Sequence, residues 1–316
     1  MKNYSSSYLS GRSGFAVSMI LASTLMFSLA VSPVQAAAKK TLTWAGCGIS
    51  KKAFMGEMAT AFEKKTGVKI DLKGGGATRG IREVADGSRD LGGACRHTLD
   101  SGGAFGSHPL ERRVRMDPVA WDALVVMVHK DNPVNNITLP QLRQVYLGKI
   151  TNWKQLGGND APIELLVRKG KISGVGRTVR ELIFANYDQE FAKTAKVVKS
   201  TGPLEKAIES TSINGIGISG VSSARKRKVK LLKLEGKDPS YENVQSGDYL
   251  LYRPLYLVTH LENSDKDVKR FSQFVHSGEG RKIMRSVGTV PYEDAIHLWL
   301  RYLESVRKAQ DRGLGG

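Results

Sequence analysis

Glycine, hydroxyl, cysteine and arginine residues are concentrated in four short segments of this 316-residue chain, each at or shortly after the end of a predicted strand. The segments are 47–50 (CGIS), 75–79 (GGATR), 95–97 (CRH) and 168–178 (RKGKISGVGRT). An oxyanion site needs backbone N–H donors at helix N-termini, hydroxyl groups and a fixed positive charge. Glycine lets the backbone approach a ligand closely. Each segment alone is compatible with an ordinary turn, but together they predict an anion-binding site.

Two other interpretations of these segments are weaker. Residues 170–178 imitate a nucleotide-binding P-loop, but the spacing is one residue too long and Arg177 stands in place of the lysine. A thiol enzyme built on Cys95 and His97 would need an orienting group that the sequence does not indicate. We therefore predict no catalytic residue, no metal and no cofactor, with a metal or haem site that includes His97 as an alternative.

Hydrophobic periodicity indicates alternating strands and helices. The predicted strands are 41–46, 68–72, 90–94, 119–128, 163–167, 215–219 and 252–259, and the predicted helices are 51–65, 81–86, 139–146, 176–187, 206–210, 268–275, 280–287 and 294–308. Ser50 is the predicted N-cap of the first helix. The last helix is expected to pack through Ile296, Trp299, Leu300 and Leu303. The β-α-β order predicts parallel sheet with right-handed crossovers.

The N-terminal residues predict export. Lys2 and Arg12 precede an apolar stretch at 15–31, and small residues follow at Val34 and Ala36. This is the pattern of a secretory signal peptide, here residues 1–36, with cleavage after Ala36 or Ala38. An uncleaved anchor helix is the alternative, but the stretch is short for a membrane span. We expect a periplasmic protein.

The balance of charge favours an anionic partner. The chain has 48 Lys and Arg against 30 Asp and Glu, a formal net charge of +18. Export argues against nucleic acid, and the excess is spread over the chain rather than gathered in one stripe. The basic run at 225–237 is expected to be a solvated face, with a membrane-surface or partner-docking patch as the alternative.

Several ordered segments carry a family resemblance. Asp117–Gly158 (DPVAWDALVVMVHKDNPVNNITLPQLRQVYLGKITNWKQLGG) and Phe271–Pro291 (FSQFVHSGEGRKIMRSVGTVP) closely resemble the periplasmic phosphate-binding proteins of ABC transporters, the PstS-like substrate-binding proteins. Asn214–Gly220 and Arg253–Val258 add weaker matches in the same order. The resemblance extends over nearly all of the chain from Thr41 to Pro291.

The resemblance implies a two-lobed α/β fold of the periplasmic binding protein type, with two doubly wound lobes joined by two crossing strands. Lobe one would be 37–118 plus 257–316, and lobe two would be 119–256. The implied function is capture of phosphate or a similar oxyanion in the cleft and delivery to an ABC permease, by a monomer without stable membrane insertion and without nucleic acid. Anion sensing for a membrane partner is the alternative. The expected ligand-contacting residues are Cys47, Gly48, Ile49, Ser50, Gly76, Ala77, Thr78, Arg79, Cys95, Arg96, Arg168, Ser173, Gly174, Val175, Gly176 and Arg177.

This chain departs from the family pattern at informative positions. Cys95 stands where the family has an acid that accepts a hydrogen bond from protonated phosphate, and Lys169 and Lys171 lie where a second acid is expected. A fully ionised sulfate-like anion or an organic acid is therefore an alternative ligand. The family fold also places Cys47 and Cys95 after neighbouring strands, which favours a disulfide in an oxidising compartment, with two free thiols as the alternative. Asp122, on a crossing strand, either faces the cleft or forms hydrogen bonds at the hinge.

Overall fold

The computed structural model describes residues 40–99 and 108–313. The predicted signal peptide lies outside the described residues. In the part of the chain that is described, no helix combines the length and the apolar character needed to cross a membrane.

Strands and helices alternate along most of the chain. The strands are β1 (Thr41–Gly46), β2 (Lys69–Gly74), β3 (Leu91–Ala94), β4 (Val114–His129), β5 (Asn136–Ile137), β6 (Glu164–Arg168), β7 (Lys196–Val198), β8 (Gly215–Gly220), β9 (Val229–Leu231), β10 (Lys233–Leu234), β11 (Tyr252–His260) and β12 (Val290–Pro291). The helices are α1 (Gly48–Ser50), α2 (Gly56–Thr66), α3 (Ala77–Ala85), α4 (Leu139–Tyr146), α5 (Gly174–Val179), α6 (Thr201–Ser210), α7 (Val221–Ala224), α8 (Tyr241–Ser246), α9 (Lys266–His276), α10 (Gly278–Ser286) and α11 (Leu298–Gly313). A π-helical turn at Lys51–Met55 joins α1 to α2, and another at Arg180–Phe184 extends α5.

The main sheet runs in the order β2-β1-β3-β11-β4-β8-β6-β7. Its two ends are parallel: β1 pairs with β2 and β3 at one end, and β6 pairs with β7 and β8 at the other. We call the first end with its helices lobe one, and the second end with its helices lobe two. Parallel pairing with helical crossovers buries both faces of each lobe's sheet.

The long strand β4 joins the two lobes. Its residues 114–123 pair antiparallel with β11, and its residues 124–128 pair antiparallel with β8. Strand β11 also pairs with β3, so these two antiparallel strands occupy the middle of the sheet. The predicted fold class is confirmed: this is a two-lobed α/β protein in which β4 and β11 connect parallel half-sheets.

Close packing of α3 on the sheet fixes the position of its N-terminus. Gly80 lies on the helix face that meets β1 and β3, and a Cβ at this position would come 2.7 Å from the carbonyl oxygens of Ala45 and Gly93. A side chain at residue 80 would therefore push the helix away from the strands. Glycine here sets where the start of α3 meets the strand ends.

Two details of the predicted helices are wrong. The first helix begins at Gly48, because the Cys47 carbonyl already accepts a bond from the Lys51 N–H, so Ser50 lies inside the helix rather than capping it. The segment predicted as helix at 176–187 starts at 174. The segment 206–210, predicted to belong to a helix, forms the second half of α6, which begins at residue 201.

The packing face of the last helix also differs from the prediction. Leu298, Tyr302 and Ala309 of α11 are buried, whereas Ile296, Leu300 and Leu303 are exposed. The helix packs against the π-helical turn at Arg180–Phe184 in lobe two, and the Tyr302 ring stacks on His97 from lobe one. Burial of an aromatic ring with these partners outweighs burial of the three aliphatic side chains. Helix α11 thereby contacts both lobes.

Candidate functional site

A cleft of about 440 Å³ opens where the carboxyl ends of the parallel strands of both lobes meet. In open α/β sheets this edge is where ligands bind. The lining residues are Cys47, Gly48, Lys52, Gly75, Gly76, Ala77, Cys95, Arg168, Gly174, Val175, Lys199, Ser200, Thr201, Gly202, Pro203 and Ser223. Both lobes therefore contribute to one concave surface.

Helix N-termini converge on this cleft from both lobes. Helices α1 and α3 start at Gly48 and Ala77 in lobe one, and α5 and α6 start at Gly174 and Thr201 in lobe two. The first N–H groups of a helix have no partner within the helix, and the helix dipole places partial positive charge there. Together they offer a set of donors suited to an anion.

Three cationic side chains reinforce the donors. Arg168 ends β6 and donates from Nη1 to the Val198 carbonyl at 3.2 Å, which holds it at the cleft wall. Burial lowers the pKa of its guanidinium, which nonetheless stays charged near neutral pH. Lys199 directly follows Val198, the residue of β7 that pairs with Arg168. Lys52, on the π-helical turn after α1, is the third.

Lys52 reaches across the cleft. Its Nζ donates to Ser223 Oγ at 2.9 Å in lobe two and lies 3.4 Å from Glu205 Oε2. Glu205 is buried beneath Ser223 and accepts a hydrogen bond from that hydroxyl. Among the lining residues that the structure describes, none is aspartate or glutamate. The cleft is therefore lined by donors and cations.

The two cysteines form a disulfide at the cleft surface. Cys47 follows β1 and Cys95 follows β3, which pair in parallel, and their Cα atoms lie 6.3 Å apart. Both sulfurs are thus bonded to each other, which leaves neither thiol for the enzyme or metal alternatives. His97 Nδ1 lies 3.1 Å from the Tyr256 hydroxyl.

The structure brings half of the sequence-predicted contact residues to the cleft surface: Cys47, Gly48, Gly76, Ala77, Cys95, Arg168, Gly174 and Val175. Ile49 and Ser50 follow directly but are fully buried within the first helix. Ser173 caps α5, because its Oγ accepts from the Gly176 N–H at 3.2 Å. Ser173 and Gly176 thereby shape the start of α5 without lining the cleft themselves.

Three predicted arginine contacts have protein partners instead of a place in the lining. Arg79 forms an exposed ion pair with Glu83 one turn along α3. Arg177 lies 3.7 Å above the Tyr187 ring centroid. Arg96 is buried in an ion pair with Glu111. The predicted contact residue Thr78 also lies outside the lining, and its hydroxyl donates to the Ile172 carbonyl.

Lys52, Ser223 and residues 199–203 line the cleft but were absent from the sequence prediction. The stretch Ser200-Thr201-Gly202-Pro203 has hydroxyl residues before a proline in a first helical turn, which is a helix-start signal. The helical segment predicted from the sequence covered only 206–210, so this helix start was missed. Nothing in the sequence alone distinguishes Lys52 from the neighbouring Lys51.

Asp122 belongs to the hinge rather than the cleft surface. Its Oδ1 accepts from the Ser222 hydroxyl at 3.0 Å, and its Oδ2 lies 3.5 Å from Arg253 on β11. Both side chains of the ion pair are fully buried. Burial raises the pKa of the Asp122 carboxyl, although the charge of Arg253 opposes that shift. This pair joins the two crossing strands.

The basic run is also engaged in the fold. Arg227 pairs with Glu205 and Glu209, and Lys237 pairs with Asp248. Lys226 Nζ donates to the Lys52 carbonyl at 3.0 Å. Part of this run therefore supports lobe two and the cleft wall.

Two α/β lobes on crossing strands, with helix N-termini and cations facing a shared cleft, define a solute-binding protein architecture. The chain belongs to the PBP superfamily, whose domain profile matches residues 7–279. Two relatives are the phosphate-binding protein PstS of Borreliella burgdorferi, 30% identical over 188 residues that span 57% of this chain and 66% of that protein, and the phosphate-binding protein PstS of Bacillus subtilis, 26% identical over 81% of this chain and 82% of that protein.

Solved structures show the same similarity. A Clostridium perfringens protein, described as a phosphate ABC transporter substrate-binding protein with bound phosphate, is 28% identical and aligns with a TM-score of 0.70 over 80% of this chain and 99% of that one. An ABC-type phosphate transport receptor from Vibrio cholerae is 26% identical, with a TM-score of 0.59 over 80% and 100% of the two chains.

Proposed function

We propose that this chain is a periplasmic solute-binding protein that captures phosphate in the cleft between its lobes and delivers it to an ABC permease. The observation that carries the proposal is the lining of the cleft, where four helix N-termini and the side chains of Arg168, Lys52 and Lys199 face one cavity. The named relatives are phosphate-binding proteins, and the similar solved structures from Clostridium perfringens and Vibrio cholerae are of phosphate transport proteins. The protein is a binding protein rather than an enzyme.

In this proposal the anion lies between the two lobes. The backbone N–H groups at Gly48, Ala77, Gly174 and Thr201 donate to its oxygens, and Arg168 supplies the fixed charge. Lobe one comprises residues 37–118 and 257–316, and lobe two comprises residues 119–256. Closure of lobes about crossing strands is a common way for such proteins to enclose a ligand.

A sulfate-like anion or an organic acid is the second candidate ligand. It is favoured by one observation: the disulfide sulfur of Cys95 occupies the cleft surface where the family pattern leads us to expect an acidic acceptor. Without an acceptor, a protonated anion gains less over an unprotonated one.

A thermal-shift panel tests both candidates. The mature protein, freed of bound anions by unfolding and refolding, is heated with phosphate, sulfate or small carboxylates at equal ionic strength. The proposal predicts that phosphate raises the unfolding midpoint most, because a ligand that binds only the native state stabilises it. A larger rise of the unfolding midpoint with sulfate or a carboxylate would mean that this anion, and not phosphate, is the ligand. If no anion raised the midpoint, the transport function would be contradicted.

A further inference from the structure

The carbonyl of Ile172 in lobe two accepts two hydrogen bonds from lobe one. Thr78 Oγ1, in α3, donates to it at 3.0 Å, and Arg96 Nε, after β3, donates to it at 2.9 Å. Ile172 immediately precedes Ser173, the N-cap of α5. These bonds therefore join lobe one to the loop that carries the lobe-two helix start.

Arg96 is fixed in place by a buried carboxylate. Its Nη1 donates to Glu111 Oε2 at 2.9 Å and its Nη2 donates to Glu111 Oε1 at 2.8 Å. The Leu99 N–H also donates to Glu111, at 2.8 Å. Burial opposes ionisation of Glu111, but the bonds from Arg96 and Leu99 outweigh it and lower the pKa of the carboxyl. A bidentate pair of this kind holds the guanidinium plane in one orientation.

Every N–H of the Arg96 guanidinium has a protein acceptor. Besides Ile172 and the two bonds to Glu111, Nη1 donates to the His97 carbonyl and Nη2 donates to Thr78 Oγ1 at 3.1 Å. A guanidinium has five donors. Arg96 has therefore no donor left for an anion in the cleft, and its contact with the ligand site is through Ile172.

We propose that Thr78 and Arg96 are positioning residues that latch the closed cleft by holding the Ile172 carbonyl, and so set the start of α5 against the anion. The proposal rests on the proposed function, since it assigns these residues to phosphate retention. When the lobes separate, the Ile172 carbonyl is free to bond water, while Arg96 keeps its partner Glu111 within lobe one. The latch then contributes to the closed state and not to the stability of the open one.

Thr78→Val tests the latch without removing a buried charge. The substitution deletes the donor to Ile172 and the acceptor for Arg96 Nη2, so phosphate affinity should fall about tenfold. The unfolding midpoint of the phosphate-free protein should fall only slightly, because the lost bond from Arg96 Nη2 to Thr78 lies within lobe one and Nη2 keeps its bond to Glu111. Thr78→Ser keeps the hydroxyl and should restore affinity. Thr60→Val is the matched control, because the Thr60 hydroxyl bonds only to the Gly56 carbonyl one helical turn earlier among the contacts described for it.

The measurements are calorimetric titration with inorganic phosphate, thermal unfolding without phosphate, and small-angle X-ray scattering at saturating phosphate. The latch predicts that phosphate-saturated Thr78→Val has a larger radius of gyration than the saturated wild type. Equal radii with weaker binding would overturn the latch and make Thr78 a direct anion contact. Unchanged affinity would also overturn it.

Failure of the proposed function looks different. If the wild type gives no heat with phosphate, phosphate binding is wrong, and the same measurements are made with the anion of the thermal-shift panel that raises the midpoint most. If no anion binds the wild type, the latch is overturned together with the proposed function. If the wild type binds an anion and Thr78→Val binds it equally well, the latch alone is overturned.

Discussion

The Cys95 Sγ atom lies in the space that a side chain at residue 174 would occupy, so Gly174 at the start of α5 packs directly on the disulfide. Cys95 belongs to lobe one and Gly174 to lobe two. The Ala77 Cβ, at the start of α3, would lie 3.4 Å from the same added atom. The two helix starts can approach one anion only because residue 174 has no side chain.

Gly174→Ala should therefore weaken phosphate binding by at least tenfold. The added methyl group meets the disulfide sulfur and keeps the lobes from closing fully, whereas the open form has room for it. Calorimetric titration with phosphate measures the effect. Gly56→Ala is the matched control, since its added Cβ would have only ordinary contact, 3.6 Å from the Lys51 carbonyl, and lies outside the cleft lining. Wild-type affinity in Gly174→Ala would show that this contact does not limit closure.

Arg168 should dominate the side-chain contribution to affinity. Arg168→Ala is expected to abolish the phosphate-induced thermal shift, and Arg168→Lys should retain only a small part of it, because a lysine cannot reproduce the planar fork of donors. Arg115→Ala removes an exposed arginine paired with Asp117 and should show the same phosphate-induced thermal shift as the wild type. A full thermal shift in Arg168→Ala would mean that the anion is held elsewhere.

The fold and the position of the cleft at the strand ends could be predicted from the sequence, because strand periodicity and the order of elements are local signals. Cys47, Gly76 and Arg168 were predicted in loops that do meet at one cavity. Which arginines face that cavity could not be predicted. Arg96 and Arg177 lie in the same loops, but Arg96 forms an ion pair with Glu111 and Arg177 packs on the Tyr187 ring. Nothing in the sequence marked Glu111 or Tyr187 as a partner of these arginines.

Side-chain direction and partner identity are tertiary properties. The same limit explains the last helix, where Ile296 and Leu300 fit the apolar pattern but are exposed, while Tyr302 packs inward on His97. The helical pattern predicts that the helix has an apolar face, but it does not show which of two overlapping faces packs against the core.

Reduction of the disulfide should lower both stability and affinity. Cys47 and Cys95 are separated by 48 residues, and closing a loop of that size stabilises a native state by about 4 kcal/mol. The loss also loosens the two loops that start at the cleft surface, so phosphate binding should weaken. Thermal unfolding and titration with and without reductant measure both effects. The Cys47→Ser, Cys95→Ser double variant should resemble the reduced protein and ignore the reductant; wild-type stability in that variant would contradict the prediction.

Glu181 should make stability fall as pH rises. Burial raises the pKa of this carboxyl, although the Tyr187 hydroxyl at 2.7 Å and the charge of Arg177 oppose the shift. A carboxyl whose pKa is higher in the folded state contributes fully to the free energy of unfolding below its unfolded pKa, which is ordinarily 4.5. That contribution is lost as the pH rises through the pKa of the folded state. Glu181→Gln removes this dependence, so its unfolding midpoint relative to wild type should increase from pH 5 to pH 8. A difference that is constant or decreases over that range would show that Glu181 ionises at no cost in the folded protein.

The proposed function requires that the cleft hold one phosphate between the lobes. This is tested by isothermal titration of inorganic phosphate into the refolded, anion-free mature protein near neutral pH. We expect saturable binding of one phosphate per chain that disappears in Arg168→Ala. Absence of binding by the correctly folded wild type, or saturable binding that persists unchanged in Arg168→Ala, would contradict it.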